Sequence, residues 1–170
     1  MDKSTRDRTR RLLNRGAKLL EQGKAEEAIP HLERACQLDS ASVPAQINLG
    51  GAYVLAGRHS EAVPVLEAAR DTEPDNVMIW INLGAAYLGN PLLATQEQQL
   101  QAIRAFERAL ELDPIAPSVN YNLGLIFIDR KEHDMAIEAF QRAVQVNPFD
   151  RDARTWLRKL KDAAEREEST

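Results

Sequence analysis

The chain has 170 residues, 44% hydrophobic and 28% charged, an ordinary balance for one folded domain that excludes wholesale disorder. Its formal net charge of −4 argues against a nucleic-acid partner, because neutralising phosphates takes a basic surface. The single cysteine, Cys36, excludes an intramolecular disulfide and an all-cysteine zinc site, and no apolar run reaches the roughly 18 residues of a membrane helix.

At the N-terminus, "MDKSTRDRTRR" is charged and lacks the apolar stretch of a signal peptide, so a cytoplasmic protein with no membrane partner is expected. Residues 1–8 are expected to be flexible. The sequence then repeats at an offset of 34: "QINLGGAY" at Gln46–Tyr53 returns as "WINLGAAY" at Trp80–Tyr87. Gly16, Gly50, Gly84 and Gly124 share one repeat position, Ala28, Ala62, Ala102 and Ala136 a second, and Ala35, Ala69, Ala109 and Ala143 a third. Pro74, Pro114 and Pro148 close three of the four units, 9–42, 43–76, 77–116 and 117–150.

Within a unit, apolar residues recur at helical spacing, as in Trp80, Leu83 and Tyr87 or Ala102, Ile103, Phe106 and Ala109. Each unit reads as two short antiparallel helices, A and B, joined at breakers such as "EQGKA" and "LAGRHS". A glycine inside a helix costs about 0.8–1 kcal/mol relative to alanine. A glycine of helix A facing an alanine of helix B is expected to offset that cost by letting the two axes approach.

The third unit carries six extra residues, "GNPLLATQEQQLQ" replacing the usual turn. Asn90-Pro91 is expected to stop helix A, and Thr95 with Gln98 has the spacing of a capping box. Helix B of this unit should start early, protrude by over a turn and be the longest B helix. Leu92 and Leu93 are expected to fold back on it. Residues 151–167 read as one more helix, N-capped by Asp150, with Ala153, Leu157, Leu160 and Ala164 on the face that covers the last repeat. Residues 168–170 are expected to form a flexible tail. The total is nine helices and no strand.

This pattern resembles the tetratricopeptide repeat, whose signature is a bulky residue, Leu-Gly, Tyr, Ala, a bulky residue, Ala and Pro. The third unit carries it as Trp80, Leu83-Gly84, Tyr87, Ala102, Phe106, Ala109 and Pro114. The second has Leu49-Gly50, Tyr53, Ala62, Leu66, Ala69 and Pro74, and the fourth Leu123-Gly124, Phe127, Ala136, Phe140, Ala143 and Pro148. The first is loosest, with Arg15 and Ser40 in place of Leu and Pro. Over residues 9–150 the resemblance implies an all-α, right-handed solenoid of antiparallel helix pairs, its A helices lining a concave face.

No catalytic constellation is present: no phosphate-binding glycine loop, no His-Glu-x-x-His and no activated nucleophile. A non-enzyme without cofactor or metal is expected. His59 and His133 fall at one repeat position, just before helix B, where packing outweighs metal binding, and Cys36 serves as a small apolar residue.

On the concave face an asparagine recurs as Asn14, Asn48, Asn82 and Asn122. An amide offers donor and acceptor together and can pair with a peptide backbone whatever its side chains. Around it the face is apolar: Pro44, Ile47, Gly51, Val54 and Leu55, then Met78, Ile81, Ala85, Leu88 and Gly89, then Ser118, Tyr121, Leu125 and Ile128, with Asp129 the only charge. Relatives that grip acidic chaperone tails use lysines and arginines there, which disfavours that partner class here. Trp156 occupies the asparagine position of the cap, either facing the hollow or lying over the last helix pair. The expected site is therefore Asn14, Asn48, Asn82, Asn122, Ile47, Ile81, Tyr121, Leu125 and Trp156, holding an apolar peptide or an amphipathic helix of another protein. The alternative is a homo-oligomer paired through the hollow or its exposed ends.

Overall fold

The structure, a computed structural model, describes residues 2–90 and 93–168. Among these the chain forms nine α-helices and no strand: α1 (Lys3–Glu21), α2 (Ala25–Leu38), α3 (Val43–Leu55), α4 (His59–Thr72), α5 (Val77–Leu88), α6 (Gln96–Leu112), α7 (Val119–Asp129), α8 (His133–Val146) and α9 (Arg151–Glu168). They pair as α1/α2, α3/α4, α5/α6 and α7/α8, each B helix packs on the A helix that follows, and α9 packs on α8. The result is an all-α solenoid. α3 touches both α1 and α5, so those A helices form one surface, whereas α6 packs on α7 more sparingly than α2 on α3 or α4 on α5.

The repeated glycines meet a different partner from the one expected. Ala28, Ala62, Ala102 and Ala136 are fully buried. What crosses each glycine, however, is the bulky residue one turn further along helix B. A Cβ at Gly16, Gly50, Gly84 or Gly124 would fall closer than 3.0 Å to Leu32, Leu66, Phe106 or Phe140 respectively. These four large side chains lie against bare backbone and are themselves 0% exposed. Burying a Leu or Phe is worth about 1.5–3 kcal/mol, more than the helix propensity lost at glycine.

The turn between A and B helices needs one left-handed residue. Gly23 (φ 73) and Gly57 (φ 75) supply it in the first two units, and Lys131 (φ 61) stands in the same place in the fourth. In the third unit, α5 ends at a left-handed Gly89 (φ 58), ahead of the expected stop at Asn90-Pro91. The capping box is present: Thr95 accepts from the Gln98 backbone and the Gln98 side chain accepts from Thr95 N–H. α6 runs 17 residues against 14 for each other B helix, so its extension is just under a turn rather than over one. Leu93 is 78% exposed and does not fold back on α6. Pro91 and Leu92 lie outside the described residues.

Both ends differ in detail from expectation. Asp2 accepts from the Thr5 backbone at 2.7 Å and starts α1 at Lys3, so residues 3–8, expected to be flexible, form its first turns. At the other end Asp150 Oδ1 accepts from the N–H groups of Asp152 and Ala153, the expected N-cap. Ala153 is buried and Leu157 and Leu160 are half-buried, but Ala164 is exposed, because α9 has by then run past the helix it covers. Glu168 is the last residue of α9, and the remainder of the expected tail lies outside the described residues. Among those residues no helix is long and apolar enough to cross a membrane.

Candidate binding face

Asn14, Asn48, Asn82 and Asn122 project from α1, α3, α5 and α7 at one register position. Asn14 is exposed and the other three are half-buried. None of the four amides makes a side-chain hydrogen bond among the described residues, and none is sealed from solvent. The Asn82 amide lies over Gly51 of the preceding A helix, where an added Cβ would come within 3.4 Å of Nδ2. The following units carry Ala85 and Leu125 at the glycine's position.

Ile47, Ile81, Tyr121 and Leu125 flank this row, half-buried, each packing against the core on one side. Leu55 (68%) and Met78 (48%) are more open. Packing between helices and presentation to solvent thus coexist on this face. Leu88 departs from expectation: it is 5% exposed and joins the core formed with α6. Ser118 is not helical but caps α7 with a left-handed backbone (φ 62), so α7 starts at Val119. Asp129 accepts from the buried Gln99 at 2.6 Å, which ties the start of α6 to the end of α7.

Trp156 stacks on Phe140, with centroids 6.3 Å apart and rings 14° from parallel. Tyr121 meets the same Phe140 edge-on at 5.8 Å, and the Lys159 ammonium sits 5.0 Å from the Trp156 ring. The tryptophan therefore lies over the last helix pair, half-exposed, beside Tyr121.

Chemistry elsewhere is sparse. His59 and His133 are the first residues of α4 and α8 rather than preceding them, and no group of three His, Cys, Asp or Glu among the described residues could hold a metal ion. Burial, with the charges of Asp39 and Glu33 adding to it, pushes the Cys36 thiol up to about 11, which keeps it protonated and unreactive at neutral pH. Two recurrent side-chain ties escaped the sequence reading. Tyr53 and Tyr87 donate to Glu33 (2.7 Å) and Glu67 (2.8 Å), each twenty residues upstream, a repeated Glu-to-Tyr spacing visible in the sequence. Gln46 and Trp80, at one repeat position, donate to the carbonyls of Ser40 (2.9 Å) and Pro74 (2.6 Å) in the preceding turn.

Two sequence models of one family, both described as tetratricopeptide repeat, match residues 19–80 and residues 91–153. The chain is a tetratricopeptide repeat protein. A search of curated proteins finds no match. Among solved structures, the chain is similar to MamA (41-end) from Desulfovibrio magneticus RS-1, with 24% identity over 84% of this chain and 77% of that one and a TM-score of 0.71. A thermophilic tetratricopeptide repeat protein of Thermus thermophilus aligns at 19% identity, 92% and 82% coverage and a TM-score of 0.75. Pseudomonas aeruginosa pilF aligns at 21% identity, 97% and 72% coverage and a TM-score of 0.78. At these identities the likeness establishes the fold alone. As a tetratricopeptide repeat protein, the chain falls in the class of protein-interaction and scaffold modules.

Proposed function

We propose that the A-helix face binds a segment of another protein, in an adaptor or scaffold role without catalysis. The observation that carries this reading is the row of asparagine amides. Asn48, Asn82 and Asn122 are half-buried, spaced by the repeat and without a side-chain hydrogen bond among the described residues. Open to solvent rather than sealed, these amides keep donor and acceptor available to a ligand in place of water. The half-exposed Ile47, Ile81, Tyr121 and Leu125 beside them provide apolar contact, so an extended apolar peptide or the apolar side of an amphipathic helix fits.

Panning the folded chain against a displayed library of random peptides, without assuming any natural partner, tests this. Recovered peptides should be enriched in apolar residues and should be lost from Ile81→Asp while its circular dichroism spectrum is unchanged. Recovery that is equal on the parent and on a folded Ile81→Asp variant would place binding elsewhere.

A further inference from the structure

The fourth unit lacks two groups that the third uses to close its own edge. In the third unit, the Trp80 indole donates to Pro74 O, and Asp75 in the same turn pairs with Arg108 at 2.8 Å. The corresponding residues forty positions on are Asn120 and Ile115. Asn120 is one methylene shorter than Gln46, the donor used in the second unit, and it makes no side-chain hydrogen bond among the described residues. Ile115 offers Arg142, the counterpart of Arg108, no carboxylate, and Arg142 turns to Glu138 on its own helix. An opening of about 440 Å³ results between the end of α6, the start of α7 and α8, lined by Leu110, Pro114, Ile115, Asn120, Arg142 and Val146. The untethered start of α7 agrees: α3 and α5 begin at Val43 and Val77, but α7 begins two residues later in its unit, after a left-handed Ser118.

One repeat further along the same edge, the position of Ile115 is taken by Phe149, an aromatic side chain 87% exposed. We propose that Phe149 of a second copy fills this opening, and that two copies do so reciprocally. Three observations select this occupant. An aromatic ring is what the third unit places at the equivalent position. Asp150 follows Phe149, and only its Oδ1 is used to cap α9, so a carboxylate accompanies the ring toward Arg142 much as Asp75 accompanies Trp80. Socket and projecting ring lie on neighbouring turns of one edge, with Ile115 (69%) and Val146 (37%) exposed beside them. Such a self-complementary patch is what a two-fold interface requires. The A-helix face plays no part in it, so the two readings stand or fall separately.

Sedimentation of the full chain from low micromolar to millimolar concentration tests this. A reversible monomer–dimer equilibrium is expected. Phe149→Ser should weaken it roughly 30-fold or more, as for an aromatic hot spot, with no change in the melting temperature measured at concentrations where the parent is monomeric, because the side chain stands clear of its own fold. Asn120→Trp should also abolish the dimer by filling the socket from within. Should that variant fail to fold, Val146→Glu at the rim takes its place and should likewise abolish it. A monomer at every concentration, or a dimer indifferent to Phe149→Ser, overturns the proposal. A dimer lost with Phe149→Ser but kept in folded Asn120→Trp or Val146→Glu overturns the assignment of the socket.

Discussion

Gly84 has no room for a side chain: the Phe106 ring occupies the space where its Cβ would be. Gly84→Leu should therefore destabilise the chain by at least about 1–3 kcal/mol, the usual cost of overpacking. In a denaturant titration the loss should shrink when Phe106→Leu is added, because a smaller side chain then faces the new one. Equal loss on both backgrounds would show that the two sites do not touch. Lys131 presents the opposite situation, a side chain where the backbone favours none. Its φ of 61 matches Gly23 and Gly57 in the earlier turns. Lys131→Gly should stabilise the chain by roughly 0.5–1 kcal/mol, the left-handed penalty less the entropy cost of glycine, and should raise the melting temperature by a few degrees. A lowered melting temperature would mean that the Lys131 side chain has a role the backbone geometry does not reveal.

At the scale of elements, the A and B helices of neighbouring units are tied by Tyr53 to Glu33 and Tyr87 to Glu67. Burial first, and then the hydrogen bond to the carboxylate, pushes both phenols up to about 12 from an ordinary 10.0. Below pH 10 each phenol is protonated whether the chain is folded or not, and this stabilisation is fully present. As pH rises from about 10 to about 12 the unfolded chain gives up its proton first, so stability is lost across that window. The double variant Tyr53→Phe, Tyr87→Phe should lose less stability than the parent between those pH values, measured by urea unfolding. An identical decline in both would remove the tyrosines from the account. Local signals explain what could be read in these elements from the sequence. The Thr95–Gln98 box and the Asp150 cap involve residues two or three apart, and both form as the spacing indicates. Leu93 and Leu88 could not be placed that way, because burial there depends on where the insertion carries the chain and on what α6 covers. The first turns of α1 were hidden for a related reason: a charged run without apolar periodicity gives no packing signal, and the helix is set instead by the Asp2 cap and by its own backbone.

Across the whole molecule the 34-residue period made the solenoid legible, since each helix pair must bury its apolar side on the next. The same period placed the asparagines at one register position of each A helix, in adjoining helices from α1 to α5, while α7 stands away from α5. What it could not convey is the interior partner of each glycine or the room around each amide, because both depend on side chains one repeat away, such as Phe106 over Gly84 and Asn82 over Gly51. Two buried clusters, one running from α1 to α6 (Ala105) and the other from α5 (Leu88) to α9, share Trp80 and Tyr87 as partly buried neighbours, so a partner spanning Asn48, Asn82 and Asn122 would span both. The most direct measurement is a calorimetric titration of one panned peptide against the parent chain and against Asn82→Ala, Ile81→Asp and Leu125→Asp, each verified as folded. For an extended peptide bonded through its backbone, Asn82→Ala should weaken binding about 5- to 150-fold, the cost of leaving a buried polar group unpaired. For an amphipathic helix, whose backbone is already paired, Asn82→Ala should change little and the two aspartate variants should abolish binding. Parental affinity in all three folded variants would contradict binding at the A-helix face.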